Sequence, residues 1–124
     1  MDWEIVFRDN GILEINCNGK FSNDDYLKMM EQVLRDSNWK PGMGIVADFR
    51  EVAFEDMYFN DVFISVGMHT LYNELIGEGR IAAIHSSEEG FRLGKLYEAM
   101  SNLTLRSRIS TFKNYDDAVD WIHS

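Results

Sequence analysis

Two segments at the start of the chain alternate apolar and polar residues with a period of two. They cover residues 3–8 and 12–18, and the turn sequence Asp-Asn-Gly at 9–11 lies between them. This combination predicts a β-hairpin. Because one set of alternate positions is largely polar, we expect one face of this edge of the sheet to lie near water.

The apolar period then lengthens to that of a helix. Ser22, followed three residues later by Asp25, predicts the start of a helix that ends near residues 37–42. The segment 44–49, "GIVADF", has the composition of a buried strand. The elements predicted after it are a helix over about 60–76, a strand over 80–86, a helix over about 88–103, a strand over 107–112 and a short terminal helix.

Local signals also predict where these later helices begin and end. Asn60 is the expected N-cap of the helix over 60–76, and Gly77 is its expected stop. Ser87 is the expected cap of the next helix, and Asn114 with Asp117 caps the last one.

The predicted order β-β-α-β-α-β-α-β-α indicates an α/β fold. Alternating strands and helices imply parallel neighbours joined by right-handed crossovers, so we expect a mostly parallel sheet with one antiparallel edge strand. If the strands follow chain order, the crossover helices lie mainly on one face. No linker or repeat interrupts the chain, and residues 1–124 are interpreted as one domain.

The helix over 60–76 carries apolar residues on two sides. At 100° per residue, the stripe expected to face the core is formed by Ile64, Met68, Leu71, Tyr72 and Leu75. Nearly opposite lie Phe59, Val62, Phe63 and Val66. Because a surface helix needs only one apolar stripe, the second must be covered by another helix, a second subunit, an apolar ligand or a membrane surface. The membrane is disfavoured because this helix has no Lys or Arg.

Composition and charge exclude several classes of function. The 45% apolar and 27% charged residues are typical of a globular chain, and the net charge of −9 disfavours nucleic-acid binding. Cys17 is the single cysteine, so no disulfide is possible within the chain and it is interpreted as a buried hydrophobe. The N-terminus lacks the pattern of a signal peptide and no apolar run could span a membrane, so we expect a cytoplasmic protein.

The segments "NWKPGMGIVADFREV" (38–52), "GRIAAIHSSEEGFRLGKLYEAM" (79–100) and "RISTFKNYDDAVDWI" (108–122) resemble the STAS-like group. This group contains the bacterial anti-sigma-factor antagonists and small stand-alone bacterial relatives of largely unassigned function. The resemblance covers essentially the whole chain and implies a STAS-like domain that acts by protein contact. The antagonists are regulated on a serine just after the third strand, and that position falls on Met57 here. Phosphorylation of the adjacent Tyr58 would need a different kind of kinase, and Ser65 lies well inside the predicted helix. We therefore expect neither residue to provide this switch.

Together, the resemblance and the second apolar stripe favour residues 48–66 as an interaction surface. Its candidate contact residues are Asp48, Arg50, Asp56, Met57, Tyr58, Phe59, Val62, Phe63 and Val66. In the antagonists the same region meets the partner protein. Burying two Phe and two Val would supply about 6–10 kcal/mol of hydrophobic free energy, and association entropy would cancel much of it. A homodimer or an unidentified protein partner fits this surface.

Candidate chemistry is sparse. Asp48 and Arg50, two residues apart at the end of a predicted parallel strand, could hold a polar ligand or simply pair with each other. Asp48, His85 and Ser86 or Ser87 invite a hydrolase interpretation, but no nucleophile elbow accompanies them. The histidines lack metal-binding spacing and no cofactor motif is present. We therefore expect no enzyme, metal or cofactor. The alternative is a small protein that binds an apolar or acyl ligand, since eight Phe and seven Met are suitable pocket liners.

Overall fold

The computed structural model describes all 124 residues and contains one five-stranded sheet. The strands are β1 (Asp2–Phe7), β2 (Ile12–Lys20), β3 (Gly44–Ala53), β4 (Arg80–Ile84) and β5 (Arg108–Phe112). The helices are α1 (Asn23–Arg35), α2 (Phe59–Leu71), α3 (Asn73–Ile76), α4 (Glu88–Ser101) and α5 (Tyr115–Ile122). The predicted helix over 60–76 is therefore two helices, with Tyr72 between them.

The strands lie side by side in chain order. β1 runs antiparallel to β2, and each later pair is parallel. This confirms the predicted α/β class, the mostly parallel sheet and the single antiparallel edge. The hairpin turn is closed by a backbone hydrogen bond of 2.9 Å from the Arg8 amide to the Ile12 carbonyl, and Gly11 adopts φ +83°. Glycine suits that left-handed conformation because it has no Cβ.

Helices cover both faces of the sheet, but unequally. α1, α2 and α4 lie on one face, where the larger core cluster contains Leu13, Ile15 and Ile45. α5 alone packs on the other face, against the smaller cluster around Val46 and Ile84. Adjacent residues of a strand thus serve opposite layers, as the period of two requires. The prediction that helices lie mainly on one face is confirmed.

Cys17 belongs to the larger core cluster, on the side of β2 that faces α1. Its Sγ lies 3.7 Å from the Sδ of Met29, and burial raises the pKa of the thiol to about 12. The interpretation of Cys17 as a small buried hydrophobe is therefore confirmed.

Most of the predicted helix caps are present. The side chains of Ser22, Ser87 and Asn114 each accept a hydrogen bond from the amide three residues later, at 3.1, 3.0 and 2.9 Å. The prediction for Asn60 is wrong. α2 begins two residues earlier, with Tyr58 as N-cap, because the Asp61 carboxylate accepts a 2.9 Å hydrogen bond from the Tyr58 amide.

The stop at Gly77 is confirmed, since this residue caps α3 with φ +81°. A Cβ at this position would lie 2.7 Å from the Gly42 amide nitrogen. The end of α3 thus packs too closely on the segment before β3 for any residue other than glycine.

The orientation of α2 differs from the prediction. Its buried face is formed by residues spaced three or four apart, Val62, Ser65, Val66 and His69. The expected core residues are not inside: Ile64, Leu71 and Leu75 are exposed, while Met68 and Tyr72 are half-buried. The helix is rotated toward Ser65 and His69 because both polar side chains find hydrogen-bond partners in the interior.

Candidate functional site

The strand end that carries Asp48 and Arg50 holds a two-pronged ion pair. Arg50 Nε and one terminal nitrogen donate to the two Asp48 carboxylate oxygens at 3.0 and 2.7 Å, and the Arg50 amide donates to Oδ1 at 3.0 Å. Burial opposes ionisation of Asp48, but these hydrogen bonds outweigh it, so the pKa of its carboxyl group is lowered. The two side chains satisfy each other, as the simpler sequence interpretation expected.

The loop between β3 and α2 alternates between the interior and the solvent. Phe54 is buried, Asp56 is exposed with φ +60°, Met57 is half-buried, and Tyr58 is 69% exposed. The nearest cation to Asp56 is Lys20, 3.9 Å away at the surface, where such a contact contributes little. Left-handed backbone at an aspartate is uncommon but tolerated, and it turns the chain so that Tyr58 starts α2 on the outside.

The exposed side of α2 is mainly apolar and carries no charged residue, with Asn60 and Thr70 as its exposed polar residues. Phe59 and Phe63 are 62% and 59% exposed, and Ile64 and Leu71 continue the same side along the helix. We call Tyr58, Phe59, Phe63, Ile64 and Leu71 the α2 patch. Gly67 lies among them, and a Cβ built there would have no atom within 4 Å, so the helix backbone itself is accessible.

The predicted contact surface therefore needs correction. Val62 and Val66 are only 3% and 7% exposed because they pack into the protein's own core. Their assignment to a spare outward stripe is wrong. Phe59 and Phe63 do face outward, and the residues that join them there are Ile64 and Leu71, which the helical pattern had assigned to the core.

Two residues weighed as phosphorylation sites lie in very different surroundings. Ser65 is 2% exposed, and its single hydroxyl proton is shared between two acceptors, Asn23 Oδ1 and the Asp61 carbonyl. A kinase could not reach it without unfolding this part of α2. Tyr58, by contrast, is accessible, and the methionine that precedes it turns partly inward.

The residues of the hydrolase interpretation do not bond to one another. Ser86 Oγ donates to the Arg50 carbonyl at 2.9 Å, and Ser87 Oγ is occupied by the cap of α4. Burial lowers the pKa of His85 to about 4, with the Asp48 charge opposing. Its ring stacks on Phe49 with centroids 5.3 Å apart and planes 20° apart. No hydrogen-bonded nucleophile and base are assembled here.

α4 approaches the sheet closely enough to touch the edge of the His85 ring. A Cβ at Gly90 would lie 3.0 Å from His85 Nδ1, and one at Gly94 would lie 2.9 Å from Nε2. Nδ1 is buried without a hydrogen-bond partner. The two glycines therefore make room for an imidazole whose Nδ1 remains without a partner.

A buried polar chain joins all three helices of this layer. Ser107 Oγ lies 3.3 Å from His69 Nε2, His69 Nδ1 lies 2.9 Å from the Tyr97 hydroxyl, and that hydroxyl lies 2.9 Å from the Tyr26 hydroxyl. Burial lowers the pKa of His69 to about 4 and raises that of Tyr26 to about 12. At neutral pH all these groups are uncharged, so this buried polar chain of side chains positions α1, α2 and α4 through neutral hydrogen bonds.

Between these helices and the sheet lies a cavity of about 130 Å³. Of its 24 lining residues 20 are hydrophobic, and none is charged. Its polar edge consists of Ser65, His69, His85 and the two tyrosines of the buried chain. The sequence hinted at such a space only through its many Phe and Met residues, because no local pattern marks a gap between layers.

Neither metal ligands nor a membrane span emerge from the structure. No three His, Cys, Asp or Glu side chains cluster closely enough to hold a metal ion. None of the helices combines the length and the apolar character needed to cross a bilayer.

A five-stranded sheet in chain order, one antiparallel edge and crossover helices on one face together define a STAS-like fold. One solved structure with this architecture is an uncharacterised protein of the DUF3478 family with a SpoIIAA-like fold, from Shewanella loihica PV-4. It matches with a TM-score of 0.61 and 18% identity, over 98% of this chain and 92% of that one. Another is the anti-sigma factor antagonist SpoIIAA in its unphosphorylated form, with a TM-score of 0.54 and 10% identity, over 99% of both chains.

These likenesses confirm the predicted STAS-like fold. No protein-family model and no curated protein matches the sequence. At identities of 18% and 10% the two structures are evidence of a shared fold, and fold alone does not carry function.

Proposed function

We propose that this protein is a non-enzymatic regulatory module of STAS-like type that acts in the cytoplasm through protein–protein contact. The α2 patch is the observation that carries the proposal. Contiguous exposed aromatic and aliphatic side chains usually mark an interface, and this side of α2 offers no charge to keep it hydrated. The likeness to an anti-sigma factor antagonist supports a role in regulation by binding.

A second copy of the chain is the partner that the patch fits best. With a net charge of −9, two copies repel each other over most of their surface, and an uncharged face is where they can meet. A two-fold arrangement would pair α2 with α2, and the bare backbone at Gly67 permits close approach. Covering Phe59 and Phe63, each about 60% exposed, would supply about 2–4 kcal/mol per copy, which fits a dimer that dissociates on dilution.

The test is the size of the protein in solution. Sedimentation velocity over a concentration series should show a dimer for the natural chain and a monomer for the Phe59→Ala/Phe63→Ala variant, with unchanged circular dichroism. Leu103→Ala is the matched control, because Leu103 is 86% exposed and lies outside the patch. A natural chain that stays monomeric at every concentration contradicts the dimer, and equal weakening by Leu103→Ala contradicts the location.

We also propose that the module lacks the usual serine switch. Met57 occupies the expected position, and the hydroxyl of Ser65 is enclosed and hydrogen-bonded. Intact-mass and peptide measurements on protein taken from growing cells should reveal no phosphoserine between residues 54 and 66. Phosphate on Ser65 would contradict the proposal and would show that α2 opens in the cell.

A further inference from the structure

The cavity under the helix layer is accessible space rather than a packing defect sealed inside the core. Ile81 and Ala83, on the helix-covered face of the interior strand β4, keep part of their surface accessible. Ala82 and Ile84, on the opposite face of the same strand, are fully buried under α5. The three crossover helices therefore do not close completely on the sheet. An empty apolar gap lowers stability, so an occupant would be favoured.

One wall of this space presents a polar group that no part of the chain satisfies. His85 lines the cavity and is 4% exposed. Its Nδ1 lies against Gly90 without a hydrogen-bond partner, and its Nε2 lies beside Gly94, which also lines the cavity, so Nε2 is the nitrogen that a ligand there would meet. Buried polar atoms in native proteins nearly always have partners. Because burial keeps the imidazole neutral at pH 7, it offers one N–H donor and one nitrogen acceptor. Such a group suits a hydroxyl better than a carboxylate or an ammonium group.

We propose that this cavity is a binding site for a small uncharged ligand, a single aromatic ring or a short alkyl chain that carries one hydroxyl group bonded to His85. The volume supports this ligand class. An engineered cavity of about 150 Å³ in another protein holds benzene, and about 130 Å³ is similar. The absence of charged residues in the lining excludes an ionised group from the interior, and only the end of a long acyl chain would fit.

Toluene and phenol are a matched pair of probes, since they have similar size and differ by the hydroxyl group. The seven methionines provide an internal map by methyl NMR. Met29, Met30 and Met57 line the cavity, whereas Met43 and Met100 do not. Both probes should shift the first three methyl signals saturably, with one site and a dissociation constant of about 1 mM or tighter. Shifts spread evenly over all methionines, or no saturable shift up to the solubility limit, would overturn the proposal.

Two further variants test the location and the hydrogen bond. Ala83→Leu fills the cavity from β4 and should abolish binding of both probes, while Ala99→Leu adds the same volume at an exposed position of α4 and should have no effect. If Ala83→Leu does not fold, Ala47→Leu fills the same space from β3. Undiminished binding in a folded, filled variant would refute the site.

His85→Phe separates the polar contact from the apolar ones. Phenylalanine keeps an aromatic ring beside Phe49 but cannot form a hydrogen bond, so phenol should bind about tenfold more weakly while toluene binds as before. An equal change for both probes would show that His85 does not recognise the hydroxyl. Both titrations are repeated in the Phe59→Ala/Phe63→Ala variant. The test of the cavity is then independent of the α2 patch and of any dimer that it forms.

Discussion

Two glycines inside helices should respond oppositely to the same substitution. Gly67 lies in α2 and Gly94 in α4. Alanine is favoured over glycine within a helix by about 1 kcal/mol, and both sites gain that amount. At Gly67 nothing lies within 4 Å of the new Cβ. Gly67→Ala should therefore raise the free energy of unfolding by about 0.5–1 kcal/mol.

At Gly94 the new methyl group would lie 2.7 Å from Thr111 Cγ2 and 2.9 Å from His85 Nε2. Favourable carbon contacts lie at about 3.5–4 Å, so one neighbour must move by nearly an ångström. Neither moves easily, since Thr111 belongs to β5 and the His85 ring packs against Phe49 and Phe54. Overpacking of this kind costs about 1–3 kcal/mol, which offsets the helical gain.

The free energies of unfolding of the two variants should thus differ by about 1–3 kcal/mol. Urea unfolding followed by circular dichroism measures this difference directly, with m-values equal to that of the natural chain. If Gly94→Ala were as stable as Gly67→Ala, α4 would not be held against the His85 ring. The His85 ring would then not be enclosed by this helix.

Three further predictions concern the buried polar groups and the surface ion pair. Because burial lowers the pKa values of His69 and His85 to about 4, below about 6.5 in the unfolded chain, the unfolded state takes up protons first as the pH falls. The free energy of unfolding should be highest above pH 7 and should decline from pH 6.5 toward pH 4, by about 2 kcal/mol per histidine at pH 5. Urea midpoints that do not change over this range would contradict this expectation. Tyr97→Phe should lower the free energy of unfolding by about 1–3 kcal/mol because it leaves His69 and Tyr26 unsatisfied, whereas Tyr72→Phe, which loses only a 3.3 Å contact with Glu31, should be nearly neutral; equal losses in urea unfolding would contradict this. Arg50→Ala should cost less than about 1 kcal/mol because its ion pair lies at the surface, and a larger loss by the same assay would assign that pair to the core.

Much of the fold could be predicted because its signals are local. The hairpin depends on a three-residue turn, and the caps of α1, α4 and α5 each depend on residues three apart. The rotation of α2 could not be predicted in this way. It depends on Ser65 bonding to Asn23, 42 residues earlier, and on His69 bonding to Tyr97, 28 residues later. Helical periodicity considers only the polarity of the side chains, so it predicted that the side with Ile64 and Leu71 faces the core.

In the candidate site, too, the features set by nearby residues could be predicted and those set by distant residues could not. Asp48 and Arg50 could be paired from their spacing, since residues two apart on a strand share a side. Outward phenylalanines could also be expected from the surplus of apolar residues on α2. The cavity could not be predicted, because a gap between layers depends on how four strands and four helices pack together. The unsatisfied His85 follows from that packing as well.

The single buried thiol of Cys17 provides a built-in probe of how often the structure opens. With a pKa near 12 and van der Waals shielding by α1, Cys17 should resist alkylating reagents until β2 and α1 separate. Each labelled molecule then records one opening event, and no engineered label is needed. Slower labelling in the presence of a partner or a small molecule would report binding, even to an occupant not yet identified.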